Sequence, residues 1–105
     1  MVRYSLLFFI FNLTISAFSQ DVVINEVMSR NGCSIEDEDG DAADWIELYN
    51  PTDEIVNLFG YQLSDNPESL DPWIFPQVDI APKGFLLIFA SGKDRAFGSE
   101  LHADF

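Results

Sequence analysis

The sequence has one cysteine, Cys33, among its 105 residues. A lone cysteine cannot form a disulfide within its own chain, so the fold has to be stable without a cross-link. A chain of this length forms one domain, and a domain this small buries only about 60–65% of the surface that its unfolded chain exposes. We therefore expect an apolar core rich in aromatic side chains to carry the stability.

Positive charge is also scarce. The chain has 5 Lys and Arg residues against 18 Asp and Glu residues, which gives a formal net charge of −13 at pH 7. Phosphate backbones and anionic lipid surfaces repel such a chain, so we expect no nucleic-acid partner. The charge is typical of a soluble exported protein or of a protein that binds cations.

The longest apolar stretch lies at the N-terminus. Arg3 precedes the apolar residues 6–15, and the residues at 17–19 suit the −3 and −1 positions of a cleavage site. This pattern predicts a secretory signal peptide over residues 1–19, cleaved before Gln20, with an uncleaved anchor as the alternative. We expect a secreted or cell-surface protein whose domain, residues 20–105, does not insert into a membrane.

Recognisable catalytic motifs are missing. His102 is the only histidine, no G-x-S-x-G nucleophile elbow occurs, and Gly92-Lys93 lacks the rest of a phosphate-binding loop. Zinc sites built from Cys and His need several such residues, and nothing supports a dyad of Cys33 with His102. Asp44 and Glu47 point to opposite faces of a predicted strand. The sequence therefore predicts no catalytic residue and no enzyme.

Short alternating segments separated by turn residues fill the rest of the chain. Because turn signals recur about every 8–12 residues, the fold class predicted is an antiparallel β-sandwich or barrel. Ile46 and Leu48 are expected on the core face of their strand. Gly84 is expected to take a positive φ in a tight turn, and Asn50 to begin another turn. The predicted strands cover residues 22–28, 45–49, 55–58, 61–64, 73–75, 78–80 and 85–89.

Five carboxylates crowd into residues 36–41. The spacing does not fit a helix–loop–helix calcium site, because no register places both the glycine and the last glutamate correctly. Two hypotheses remain. The loop is solvated and its charges protect a sheet edge, or it forms a looser calcium site with Asp37, Asp39 and Asp41 as candidate ligands.

The aromatic residues of the predicted strands also allow two interpretations. Side chains at such positions usually belong to the core, and a domain without a disulfide needs that burial. The alternative is a platform for a ligand such as a sugar. The residues concerned are Trp45, Tyr49, Phe59, Tyr61, Trp73, Phe75, Phe85, Phe89 and Phe97.

Several segments in order carry a family resemblance: VVINEVMSRNG, DEDGDAADWIELYNPTDE, IVNLFGYQLSDNP, WIFPQVDIAPKGFLLIFASGKD and LHADF. Together they resemble the lamin tail domain in the form found in secreted and surface proteins of bacteria. The resemblance covers nearly all of residues 22–105 and implies an immunoglobulin-like β-sandwich. Family members carry further strands after the position of LHADF, so the chain looks like a fragment whose last strands are missing.

The resemblance implies a binding or structural module with no catalytic residues to transfer. We therefore predict an exported, non-catalytic module that mediates adhesion-like contacts with a protein or cell-surface partner. The alternative is a calcium- or carbohydrate-binding accessory domain of a larger secreted enzyme. If the chain is a complete protein, we expect such a sandwich to be unstable or to take a strand from a partner.

Overall fold

The computed structural model describes residues 22–29 and 35–105. The predicted signal peptide and Cys33 lie outside the described residues. No helix long and apolar enough to cross a membrane is found in these two ranges. The described strands are β1 (Val23–Met28), β2 (Asp44–Tyr49), β3 (Val56–Asn57), β4 (Gln62–Leu63), β5 (Trp73–Ile74), β6 (Asp79–Ile80), β7 (Phe85–Ala90) and β8 (Leu101–His102).

Four strands form the main sheet, in the order β1-β2-β7-β8. β2 runs antiparallel to both of its neighbours, and Ile46 lies opposite Ile88 of β7. β7 and β8 are parallel, with Ile88 opposite Leu101 and Phe89 opposite His102. The remaining strands form two antiparallel ribbons, β3–β6 and β4–β5. The expected all-β, mainly antiparallel class is confirmed.

The core lies between the main sheet and the ribbons. Ile46 and Leu48 of β2 point into it, as their alternation predicts. Two layers of strands whose inward side chains meet in one core form a β-sandwich. The core cluster consists of Val22, Ile46, Leu48, Leu58, Leu63, Trp73, Phe75, Ile80, Ile88, Leu101 and Ala103.

The sequence predicts no strand after residues 85–89, and the structure corrects this by adding β8. Two residues are too few to display the alternation by which strands are recognised. Tertiary contacts hold β8 instead: the Ala103 amide donates to the Phe89 carbonyl at 2.8 Å, and Arg95 and His102 exchange two backbone hydrogen bonds of 2.9 Å. Backbone pairing of this kind brings His102 onto the sheet beside Phe89.

Asn50 does more than begin the predicted turn. Its Oδ1 accepts from the Thr52 amide at 3.0 Å, which closes the turn as expected. Its fully buried Nδ2 also donates to the carbonyls of Glu54, Ile80 and Ala81 at 2.7, 3.0 and 3.1 Å. One amide side chain therefore joins the end of β2 to the end of β6.

The turn before β7 is confirmed, but one detail of its prediction is wrong. The Gly84 amide donates to the Ala81 carbonyl at 2.9 Å. The positive φ, 58°, lies at Lys83 rather than at Gly84. Glycine is required at 84 for space, because a Cβ there would lie 2.9 Å from the Ala81 carbonyl oxygen.

Candidate functional site: the acidic loop and His102

The acidic loop, defined here as residues 36–41, lies between β1 and β2 and folds around the side chain of Asp37. One Asp37 carboxylate oxygen accepts from the amides of Asp39 and Asp41 at 2.9 and 3.0 Å. Gly40, at φ 85°, donates its amide to the Asp37 carbonyl at 2.9 Å. Aspartate and glycine favour such turns because Asp bonds nearby amides and glycine tolerates a positive φ. The loop therefore has a defined conformation set by local sequence.

Lys93 places its ammonium group among three carboxylates of the loop. Its Nζ lies 2.6 Å from Asp37, 2.9 Å from Asp39 and 2.8 Å from Asp41. The hydrogen bond from Lys93 lowers the pKa of Asp37 to about 2. The three carboxylates in turn raise the pKa of Lys93. The Asp37 side chain is buried, which alone would raise its pKa, so the hydrogen bonds that it accepts outweigh the loss of solvent.

Arg95 binds the other side of the acidic loop. Its guanidinium donates to Glu38 and to Asp39, each at 2.8 Å. Ser99 donates its hydroxyl to Glu38 at 2.7 Å, and this bond together with Arg95 lowers the pKa of Glu38. The hydrogen bond from Lys93, followed by that from Arg95, lowers the pKa of Asp39. The loop is thus held by ion pairs, which a freely solvated loop would lack.

The three calcium candidates do come together. Asp37, Asp39 and Asp41 each offer a carboxylate oxygen, and these oxygens lie within 4.8 Å of one another. Oxygen clusters of this kind suit a hard cation. The Lys93 ammonium lies among them and supplies positive charge at the same place. Calcium binding by these residues stays a prediction.

His102 lies beneath the acidic loop on the outer face of the main sheet. Trp45 and Phe89 alternate with core residues along β2 and β7, yet they are buried on this opposite face. The His102 ring stacks on Phe89 with 5.4 Å between ring centroids. Its Nε2 lies 3.6 Å from Glu38 of the loop and 3.8 Å from Glu100. The outer face therefore has a covered aromatic cluster of its own.

The sequence interpretation missed the roles of Lys93, Arg95 and His102. One signal could have revealed the first two: they lie only two residues apart, so their positive charge is concentrated in one short segment. They are also half of the basic residues that follow residue 19. Nothing local marks His102, because the pairing of β8 with β7 sets its position.

The aromatic residues divide between the two earlier interpretations. Trp45, Trp73, Phe75 and Phe89 are buried, as the core interpretation expects. Phe59, Tyr61, Phe85 and Phe97 are exposed, and Phe97 most of all at 84%. Single exposed aromatics do not by themselves define a sugar platform. Carbohydrate binding therefore stays a prediction.

Comparison with known proteins identifies the family. The sequence profile described as Lamin Tail Domain matches residues 16–104. Neither the curated proteins nor the solved structures give a significant match. The lamin tail domain is an immunoglobulin-like binding or structural domain, and the all-β, mainly antiparallel arrangement described above agrees with it. The chain therefore belongs to the lamin tail domain family.

Proposed function

We propose that the chain is a non-catalytic binding module of an exported protein, and that it holds an extended segment of a protein partner along the edge of β7. Export is supported by the signal-peptide pattern of residues 1–19. The observation that carries the binding proposal is the incomplete pairing of β7 within the part of the chain that the structure describes. Strand addition of this kind would give the adhesion-like contacts expected of a surface protein.

β8 covers only part of one edge of β7. Among the described residues, the parallel register pairs Ile88 and Phe89 and stops there. The carbonyl of Phe89 faces this edge, since it accepts from the Ala103 amide. Along a strand, the N–H and C=O groups of successive residues point alternately to one edge and to the other. Those of Leu87 and Phe85 therefore face the same edge as those of Phe89. Their amides are donors on which a partner strand could form hydrogen bonds.

A surface groove with apolar side chains runs beside this edge. Phe97 and Phe85 are 84% and 56% exposed there. Backbone pairing supplies affinity in strand addition, and side-chain pockets supply specificity. The net charge of −13 favours a partner segment that carries positive charge between its apolar residues. The groove is lined by Pro76, Val78, Phe85, Leu87, Phe97 and Leu101, among others.

Selection of short peptides from a phage-displayed library tests this proposal. We expect selected peptides to alternate apolar and basic residues and to bind wild-type protein. Phe97→Asp should weaken this binding by about tenfold or more, because it places charge in the groove. The matched control is Phe59→Asp, which changes an aromatic residue that is 69% exposed and does not line the groove. The control should bind the peptides like wild type.

Amide hydrogen exchange locates the peptide on the protein. We expect the amides of Phe85 and Leu87 to exchange fast in the free protein and slowly in the complex. The Leu86 amide faces β2 and should be protected in both states. Binding that is insensitive to Phe97→Asp, or unchanged exchange at Phe85 and Leu87, would contradict strand addition at this edge.

A further inference from the structure

We propose that Glu38, Glu100 and His102 form a binding site for one divalent transition-metal ion of the Zn²⁺ class. The three side chains come from the acidic loop, from the residue before β8 and from β8 itself. Each offers one ligand atom, and these atoms lie within 4.8 Å of one another. The site shares no ligand with the all-oxygen cluster around Lys93, and Glu100 also lines the groove beside β7.

The unsatisfied ring nitrogen of His102 is the observation that points to a ligand. The His102 side chain is 0% exposed. Its Nδ1 lies 2.8 Å from the Ser91 hydroxyl, whereas its Nε2 has no hydrogen-bond partner within residues 22–29 and 35–105. A buried polar nitrogen without a partner destabilises the folded state. This nitrogen faces Glu38 and Glu100, and a metal ion bound by all three side chains would satisfy it.

The distances suit a metal ion. Nε2 lies 3.6 Å from Glu38 Oε2 and 3.8 Å from Glu100 Oε1, both too long for a hydrogen bond. A tetrahedral ion with bonds of roughly 2.0–2.2 Å separates its ligand atoms by roughly 3.3–3.6 Å. The two glutamate oxygens lie no more than 4.8 Å apart, and both side chains are about one-third exposed, so they can rotate to close the remaining distances. Their exposure also lets the ion enter from solvent.

Neighbouring groups hold the three ligands in place. When Nδ1–H donates to Ser91, the lone pair of His102 is left on Nε2, where a metal would bind it. Ser99 donates to Glu38 Oε1, and Arg95 donates to Oε2, the oxygen that faces Nε2 and that keeps a second lone pair for the ion. The Glu38 amide donates to Glu100 Oε1 at 2.7 Å, which fixes that carboxylate. These contacts orient the ligands before the ion arrives.

The donor set selects the class of metal. One imidazole nitrogen with two carboxylate oxygens suits Zn²⁺ and its transition-metal neighbours, whereas Ca²⁺ binds oxygen ligands. The sequence analysis counted only Cys and His as ligands and therefore predicted no zinc site. Here carboxylates that lie far apart in sequence supply the other two ligands.

Nuclear magnetic resonance on the purified protein, free of any affinity tag, tests the site directly. His102 is the only histidine, so its imidazole signals report on this position alone. Titration with Zn²⁺ should shift the Nε2 signal with a stoichiometry of one ion per chain, and Ca²⁺ at the same concentration should leave it unchanged. Cobalt(II) in place of zinc should give visible absorption typical of tetrahedral coordination. Imidazole signals that do not respond to Zn²⁺ would overturn the proposal.

Matched variants separate metal binding from folding. Glu100→Gln removes one ligand from a partly exposed side chain and should weaken Zn²⁺ binding by at least about tenfold, with unchanged melting in the absence of metal. Asp104→Asn makes the same change of charge two residues after His102, outside the cluster, and should bind Zn²⁺ like wild type. Cys33→Ser should also bind normally, which excludes the thiol as the ligand. Equal affinity of Glu100→Gln and wild type would refute the site.

Discussion

Replacing Asn50 by alanine should be among the most damaging single substitutions in this domain. The change removes a donor from three carbonyls and an acceptor from Thr52. The Ile80 carbonyl is buried at this contact, and a buried group left unsatisfied costs about 1–3 kcal/mol. When the hydrogen bond lost from the turn is added, we expect Asn50→Ala to lower the free energy of unfolding by about 3 kcal/mol in total. For a domain of this size that lowers Tm by roughly 12–24 °C.

Thermal and urea unfolding of three variants checks this reasoning. Asn50→Asp should cost more than Asn50→Ala at neutral pH, because it places a carboxylate against carbonyl oxygens. The control is Asn57→Ala, since the side chain of Asn57 donates to Asp79 at 2.8 Å on the exposed surface. Asn57→Ala should lower the free energy of unfolding by no more than about 1 kcal/mol. If Asn50→Ala costs no more than Asn57→Ala, the link between β2 and β6 does not stabilise the fold as described.

Three further predictions concern the acidic loop and the turn before β7. Lys93→Met leaves three converging carboxylates without their ammonium group, so Ca²⁺ should raise the Tm of this variant more than that of wild type; equal shifts would refute the role given to Lys93. Asp37 has its pKa lowered from 3.8 to about 2, so its stabilisation is complete above pH 3.8 and is lost as the pH falls through about 2. Tm measured between those values should therefore fall more steeply in wild type than in Asp37→Asn, and parallel curves would contradict the pairing with Lys93. Gly84→Ala should lower stability by about 1–3 kcal/mol, since its Cβ would lie 2.9 Å from the Ala81 oxygen; an unchanged urea midpoint would show that the turn adjusts at little cost.

Local sequence patterns were sufficient to predict the longer strands. Residues 45–49 and 85–89 alternate or run apolar over enough positions to show their period, and β2 and β7 occupy them. The Asn50 turn was also predictable, because its chemistry acts over neighbouring residues. The spacing of the turns predicted a sandwich or a barrel, and the family resemblance then supplied the immunoglobulin-like topology, which no local pattern contains.

Long-range contacts explain what the sequence did not reveal. The bonds of Lys93 to the acidic loop join residues 52 to 56 positions apart. No periodicity encodes such pairs, because side chains of either sign can be solvated equally well in a loop. β8 is two residues long, so its pairing, and with it the burial of His102, depends on the folded context.

The parallel pairing of β7 and β8 supports both proposals. Among the described residues it leaves part of the β7 edge uncovered, and it places His102 close to the two glutamates. Amide exchange with cross-strand nuclear Overhauser contacts tests this pairing most directly. We expect slow exchange at the Ala103 amide, which donates to Phe89 at 2.8 Å, and contacts between Ile88 and Leu101. Fast exchange at Ala103, with no contact between these two strands, would contradict the register and remove the structural basis of both proposals.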